Sequence, residues 1–555
     1  MRDRHSVIRN QGEFAQNVEA QEKLQSTNPE LNDFAPSHYQ RAIFDWIING
    51  KGNAVVQAAA GAGKTTTLVE AAKLLPSKRA TFVAFNKHIT QELQLRLCKK
   101  MVCKTIHSIG MSALKSHLGR IILDDNKYTD IAKPYAKEIT EDLAYEYERE
   151  LQKWKKLHNK ENLRKPDPPP NTGFILGQFK RLVHFCMVTL TSPTDFHQLV
   201  EMNNCFHCLD DSLSLSLLQN PLINILRQGE KLASNQAIIT YDDMLWLPWK
   251  WHLKPPLQDY VFVDECQDLS AAQLDLVLKM RARGGRILFV GDENQAIMGF
   301  AGALSDSVDQ IIKRTKAKVF PLSICYRCPK NHVQLAQKIV PSIEPAPNKE
   351  DGIIEDISYQ DVFKVIKEDD LVISRCTAPV VRLCIELIAK RIPAKVRGRD
   401  IGKSLTTIVK EVAAHPEFKW KYFSKFLEEY RELKIAKLQQ RRNSESQIQS
   451  LRDRIEGIQI CYESFDCRSA EDLCREIEAL FSDQRSLVVL STVHRAKGLE
   501  ENRVFILRPD QLPLHWQNQQ EWELHQELNL KYVALTRAKS ALYFVQEQVS
   551  QQIPK

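Results

Sequence analysis

The chain lacks any long hydrophobic run. None of its apolar stretches approaches the roughly 20 consecutive residues that a membrane-spanning helix needs. The first 37 residues, through Ser37, are polar throughout, so a signal peptide is not expected. The expectation is an intracellular protein with no membrane partner: cytoplasmic, nucleoid-associated in a bacterium or nuclear in a eukaryote. Also missing is the even, closely spaced cysteine pattern of a disulfide framework. The 13 cysteines are odd in number and scattered, and reduced thiols are the expectation. Cys205 and Cys208, with His184 and Cys186 upstream, make an incomplete ligand set for a structural metal, and a half-buried helix end is the plainer reading. A strong charge of one sign is absent as well. The net charge of +8 permits local basic grooves for nucleic acid but does not demand them. No internal repeat is visible.

A chain of 555 residues is too long for one core and should hold several domains. Continuous apolar runs of the kind a parallel sheet buries on both faces occur at Asn53–Gln57, Thr81–Phe85, Val261–Val263, Ile287–Val290, Lys318–Leu322, Leu487–Leu490, Val504–Leu507 and Ala541–Val545. Between them lie two stretches of another character. Residues 114–235 are helical in pattern, broken by Lys165-Pro166-Asp167-Pro168-Pro169-Pro170, because proline lacks the backbone donor and fixes φ. From Phe423 to Ile458 the chain is highly charged, with Leu427, Leu433, Leu438, Ile448, Leu451 and Ile455 at broadly helical intervals, which suggests a helical hairpin or a short coiled segment. The pattern predicts two α/β halves, each interrupted by a helical insertion.

Ala58-Ala59-Ala60-Gly61-Ala62-Gly63-Lys64-Thr65 lies between a predicted strand and a predicted helix over Thr66–Leu75. This is the setting of a phosphate-binding loop. Small residues let backbone N–H groups turn onto phosphate oxygens, and the helix N-terminus adds a favourable partial charge. Gly61, Ala62, Gly63, Lys64, Thr65 and Thr66 are therefore candidate nucleotide-binding residues. Lys64 would reach the β- and γ-phosphates and Thr65 would ligate Mg²⁺. Such loops usually carry glycine where Ala58 stands, a change that is tolerable if Ala58 keeps φ below zero. Val261-Phe262-Val263 then delivers Asp264-Glu265-Cys266-Gln267-Asp268. A buried strand ending in two acids suits Asp264 to hold Mg²⁺ and Glu265 to act as general base on the attacking water.

These residues resemble the DExQD box of superfamily 1A helicases of the UvrD/Rep/PcrA type, and in wording the F-box DNA helicases most of all. The other boxes follow in family order from about Phe34 to Val545. The resemblance implies two RecA-like P-loop domains with parallel sheets, each with a mainly helical insertion. It places the first domain at 1–113 and 236–312 around an insertion at 114–235. The second falls at 313–402 and 482–555 around a smaller one at 403–481. Gln40 matches the motif that reads adenine. Ala84-Phe85-Asn86-Lys87 and Thr105-Ile106-His107-Ser108 match motifs facing single-stranded DNA. Gln295, in Gly291-Asp292-Glu293-Asn294-Gln295, would sense the γ-phosphate. In Cys325-Tyr326-Arg327, Tyr326 would stack on adenine and Arg327 would touch the γ-phosphate. Thr492 and His494 would contact DNA, Glu500 the ribose, and Arg537 would be the second arginine finger.

Phe85 and Phe300 are the candidate rings for gripping bases. Two departures stand out. The family's arginine is lost to Ala301, which weakens the DNA contact expected there, and the second insertion is small. No nuclease constellation follows Val545, so a fused helicase-nuclease is not expected. The implied activity is an ATP- and Mg²⁺-dependent, 3′→5′ single-stranded DNA translocase and helicase in repair or recombination. It would act as a monomer on single strands and single/double-strand junctions, beside recombination or single-strand-binding proteins. Three alternatives stay open: a translocase that strips proteins without unwinding, a nucleotide-gated clamp, and an RNA track.

Overall fold

The computed structural model describes residues 34–75, 79–84, 101–157, 166, 169–196, 198–199, 215–297, 307–439, 444–481 and 488–546. A first unit, through Gly50, contains the helix His38–Asn49, opened by Ser37 in a reciprocal capping box with Gln40. The second, from Lys51 onward, contains two six-stranded sheets.

The first sheet comprises β1 (Ala54–Ala58), β2 (Ala80–Ala84), β3 (Val102–Thr105), β4 (Gln258–Val263), β5 (Arg281–Gly291) and β6 (Lys318–Leu322), ordered β3-β2-β4-β5-β1-β6. Every ladder in it is parallel. That explains the continuous apolar runs, because helices cover both faces. Val55, Val83, Val261, Val263, Ile287 and Phe289 are buried in one cluster. Parallel strands also bring all their carboxyl ends to one edge, where ligands bind in such sheets. The sheet takes in β6, so it extends past the boundary expected at residue 312. Lys318–Leu322 reads equally well as the opening strand of a second domain until its pairing with β1 is seen.

The second sheet comprises β7 (Ile353–Ser358), β8 (Asp370–Ser374), β9 (Ala394–Val396), β10 (Val488–Thr492), β11 (Glu501–Leu507) and β12 (Ala538–Gln546). Its order is β7-β12-β11-β8-β10-β9, again wholly parallel. The fold is thus α/β with two parallel sheets and helical segments interrupting each.

The two interruptions are built differently. Between β3 and β4, the helices Ile106–Leu118, Lys127–Leu157, Thr172–Thr189, Leu215–Gln236 and Asp243–Lys250 enclose a core of their own around Phe179, Leu182, Leu222 and Ile225. The charged stretch after Asp130 is helical, with Ala132, Ala136 and Ile139 buried on one stripe. Lys127 is buried against Asp243 and donates to the Gly229 and Ile238 carbonyls at 3.2 Å. Between β9 and β10, by contrast, Leu405, Phe423, Ile458, Leu473 and Ile477 join the same cluster as Val372 and Leu490 of the sheet.

Candidate nucleotide site and nucleic-acid face

The loop from β1 into the helix Lys64–Lys73 turns through Gly61 (φ 67°) and Gly63 (φ 75°). These are left-handed conformations that glycine adopts without steric cost. Gly61 has a second constraint, since a Cβ there would stand 2.6 Å from the Cβ of Arg327. Ala58 is the last strand residue and is not among the positive-φ positions. The departure from glycine is therefore accommodated. Ala59 N–H donates to the Leu322 carbonyl (2.9 Å) and Ala60 N–H to the Tyr532 hydroxyl (2.8 Å). Tyr532 is fully buried, so a phenol from the second half holds the phosphate loop's backbone.

Lys64 lies 3.3 Å from Glu265. Burial pushes its pKa down, but Glu265, Asp292 and Asp264 together outweigh that and raise it, so Lys64 is charged. Asp264 and Glu265 follow β4, Glu265 itself in the left-handed region at φ 50°. Burial, then the charge of Glu265, pushes Asp264 up to about 7. Burial works the same way on Glu265, but Lys64, Lys497 and the Gln267 amide (2.5 Å) hold it down at about 2. Gln267 also accepts from the Asp292 N–H (3.0 Å), and Asp292 accepts from Gln295 (2.6 Å). The carboxyl ends of β4 and β5 thus form one hydrogen-bonded set.

The second half reaches into that set with cations. Lys497 donates to both oxygens of Asp268 (2.9 and 2.7 Å) and to the Gln295 carbonyl (2.6 Å). Arg537 is buried, with Nη2 3.3 Å from Gln295 Oε1. Burial and then Arg327 lower its pKa to about 10. Arg327 pairs with Glu500 and donates to the Thr536 carbonyl (3.1 Å), while its buried Nε finds no acceptor among the described residues. Glu500 also pairs with Lys539 (3.2 Å). Tyr326 N–H donates to the Gly61 carbonyl (2.9 Å), leaving its ring 40% exposed beside the loop. Cys325 and Cys328 form a second Cys-x-x-Cys that the sequence reading passes over. Both are buried, with Cys328 N–H 3.4 Å from Cys325 Sγ.

The structure therefore gathers Gly61, Lys64, Asp264, Glu265, Gln295, Tyr326, Arg327, Glu500 and Arg537 around one loop. Thr65 and Thr66 are half-buried in the first turn of its helix. Gln40 sits in the other unit, where its Oε1 accepts from Ser37 N–H at 2.9 Å. Phe85, Asn86, Phe300, Cys205 and Cys208 lie outside the described residues. His184, read with that cysteine pair, bonds Asp242 at 2.9 Å.

Of the other DNA-contact candidates, Thr105 caps the helix Ile106–Leu118, its Oγ1 accepting from Ser108 N–H (3.2 Å). Thr492 is buried at the end of β10. Half-buried His494 is kept neutral, its pKa lowered to about 3 by burial and by Arg375. Half-buried His107 meets the ring of Tyr241 edge-on at 6.3 Å, and Tyr241 is 51% exposed. An exposed ring beside His107 is a stacking surface that sequence reasoning missed, because nothing in Thr240-Tyr241-Asp242 marks the ring as solvent-facing. Lys497, Asp268 and Tyr532 fall inside the matched boxes, but their partners are far away in sequence.

Two parallel sheets, a glycine-turned phosphate loop, paired acids and arginines converging on it define a P-loop nucleotide protein of the two-sheet class. Residues 40–316 match the UvrD/REP helicase N-terminal domain, and residues 487–545 match the UvrD-like helicase C-terminal domain. The chain belongs to the UvrD/Rep helicase family. It is 23% identical to F-box DNA helicase protein 1 of Schizosaccharomyces pombe, over 94% of this chain and 58% of that one. It is 24% identical to a probable DNA helicase II homolog of Mycoplasma pneumoniae, over 55% of this chain and 42% of the relative. Against F-box DNA helicase 1 of Gallus gallus, 26% identity covers 50% of this chain and 25% of the relative. The chain thus spans 58% or less of each of these relatives. Among the described residues, no helix is long and apolar enough to cross a membrane.

Proposed function

We propose that the chain is a DNA-dependent ATPase that moves 3′→5′ along single-stranded DNA and unwinds duplex at junctions, working as a monomer in repair or recombination. The observation that carries the motor reading is the crossing of charge between the sheets. Lys497 and Arg537 of the second half end on Asp268 and Gln295 of the first, beside the phosphate loop. A γ-phosphate between the halves would add a common anion for Lys64, Arg327 and Arg537, and its loss would remove it. Closure would then follow the nucleotide state.

The residues fit such a ligand. The orphaned Nε of Arg327 is a buried donor without an acceptor among the described residues, and Gly61 and Gly63 leave the loop's backbone open to phosphate. Mg²⁺ is bound through few carboxylates and completes its shell with phosphate and water. Thr65 and Asp264 are that kind of donor set, and the ion would supply charge neutralisation at the phosphates. Glu265 orients and deprotonates the attacking water, Gln295 senses the γ-phosphate, and Arg327 and Arg537 stabilise the charge that develops on it. Tyr326 takes the adenine and Glu500 the ribose, and Gln40 carries the adenine-reading role that its motif implies. Thr105, His107, Thr492 and His494 are the DNA-contact residues, with Tyr241 as a stacking ring, and Phe85, Asn86 and Phe300 keep the DNA-binding role that their motifs imply.

Streptavidin displacement from oligonucleotides biotinylated at one end, run beside unwinding of a 3′-tailed duplex, tests the reading. Displacement from the 5′ end with unwinding supports it. Displacement without unwinding leaves a protein-stripping translocase, and displacement from the 3′ end reverses the polarity.

A further inference from the structure

The nucleotide site occupies the carboxyl ends of the first sheet, and the opposite edge has a pronounced character of its own. Hydrogen bonds and strand register there join five neighbouring strands into one row. Asp259 and Tyr260 N–H donate to the Arg79 carbonyl (2.9 and 3.2 Å), and Gln258 is in register with Arg281 and Tyr260 with Arg286. Ile287 N–H donates to Asn53 Oδ1 (3.1 Å), and Lys318 N–H to the Asn53 carbonyl (2.9 Å). Along this row stand Arg79, Arg281, Arg283, Arg286, Lys51, Lys316 and Lys318.

Arg79 is engaged by Asp259 in a two-pronged pair. Arg286 lies over the Tyr260 ring at 4.8 Å and donates to its hydroxyl (2.8 Å). Lys51, Arg281, Arg283, Lys316 and Lys318 are exposed, and none of them has a carboxylate partner among the described residues. Arg283 is carried outward on a bulge. Residues 281 to 286 stand opposite only 258 to 260, with Gly284 at φ 79° and a Gly285 whose Cβ would meet three carbonyl oxygens at 2.9 to 3.0 Å. A bulge interrupts the ladder locally, so it re-aims a side chain at the expense of pairing at that point.

We propose that this amino-terminal edge of the first sheet is a second nucleic-acid surface, which holds the phosphate backbone of duplex DNA away from the single-strand track. Four strand spacings span about 19 Å, a length over which one duplex strand presents on the order of five to six phosphates. Five exposed cations without carboxylate partners match that charge. The choice of duplex over single strand follows from the rings. Single strands are gripped by stacking on exposed aromatics, but the Tyr260 ring in this row is covered by Arg286. A row of cations without stacking rings reads phosphates alone. The proposal takes its partner from the DNA-motor reading above, although the surface itself does not depend on it. A motor that holds the duplex at one pole and a single strand at the other stays with its junction between steps.

The test is fluorescence anisotropy of the full chain on a blunt duplex across a salt series, comparing wild type with Arg281→Glu/Arg283→Glu and, separately, with Lys316→Glu/Lys318→Glu. Neither pair belongs to the nucleotide site, and thermal unfolding of each variant checks folding. The expected result for each folded variant is a loss of duplex affinity on the order of tenfold, with the slope of log affinity against log salt flattened by about 1.8, two phosphate contacts' worth. Single-stranded-DNA-stimulated ATP hydrolysis should stay at the wild-type rate. Unchanged duplex affinity and slope in both variants would overturn the proposal. So would displacement of the duplex by poly-glutamate as effective as by unlabelled duplex at equal charge, because the surface would then take an acidic protein. If wild-type hydrolysis ignores single-stranded DNA while duplex binding still depends on the row, the motor reading fails and this one stands.

Discussion

The edges that the two sheets bring to the nucleotide site are opposite in charge. The first supplies Asp264, Glu265, Asp268 and Asp292 around a single lysine, Lys64. The second supplies Lys497, Arg537 and Lys539, with Glu500 as their acid, and Arg327 joins them from the segment that links the last strand of the first sheet to the first strand of the second. Neither edge satisfies its own charges. Lys497 lies on Asp268 and Arg537 on Gln295, so each half completes the other. A site divided this way can be opened and closed, whereas one built within a single sheet could only be filled or empty.

Breaking the comparison at the reacting end should have the largest effect. Arg537→Ala is expected to cut turnover by roughly 10³–10⁵ with a much smaller change in KM for ATP, measured by steady-state hydrolysis. Equal losses in both would deny Arg537 a role confined to the transition state.

Lys497→Ala leaves Asp268 buried without its cation, and the stability cost should be about 3–5 kcal/mol, read from denaturant unfolding. Adding Asp268→Asn should restore most of it, because the stranded charge is then gone. No recovery in the double variant would mean that Lys497 acts elsewhere.

Tyr532→Phe removes the hydroxyl that accepts the Ala60 N–H and should cost about 1–3 kcal/mol in the same assay. A neutral result would show that the phosphate loop keeps its shape without the second half. Of the same size but confined to binding, Tyr241→Ala should weaken single-stranded DNA binding by about 1–3 kcal/mol while leaving hydrolysis at saturating DNA intact. It would sharpen the comparison by separating the track from the chemistry.

Much of this was legible in the sequence because the chemistry is written in short contiguous boxes. Gly61 to Thr65 and Asp264 to Asp268 announce themselves by a buried strand followed by a turn of fixed composition. The two parallel α/β sheets followed from unbroken apolar runs. What escaped notice joins residues distant along the chain. Tyr532 and Ala60 lie 472 positions apart and Lys497 and Asp268 lie 229 apart, and no local pattern encodes such a pair. β3, β7, β8 and β9 are not among those apolar runs, and Val102–Thr105 has no buried residue. Ile353–Ser358 is largely exposed at a sheet edge, Ala394–Val396 is only three residues long, and Asp370–Ser374 opens on a buried acid. The cationic row was hidden for the same reason. Lys51, Arg281 and Lys318 become neighbours only when β1, β5 and β6 pair.

The most direct test of a motor divided between two sheets is steady-state ATP hydrolysis with and without single-stranded DNA, with single-stranded RNA as the comparison. Strong stimulation by DNA and little by RNA is the expected result, since a strand bound across both halves should favour the closed site. A rate indifferent to either strand would contradict it and leave a P-loop ATPase whose two halves answer to something other than a nucleic-acid track.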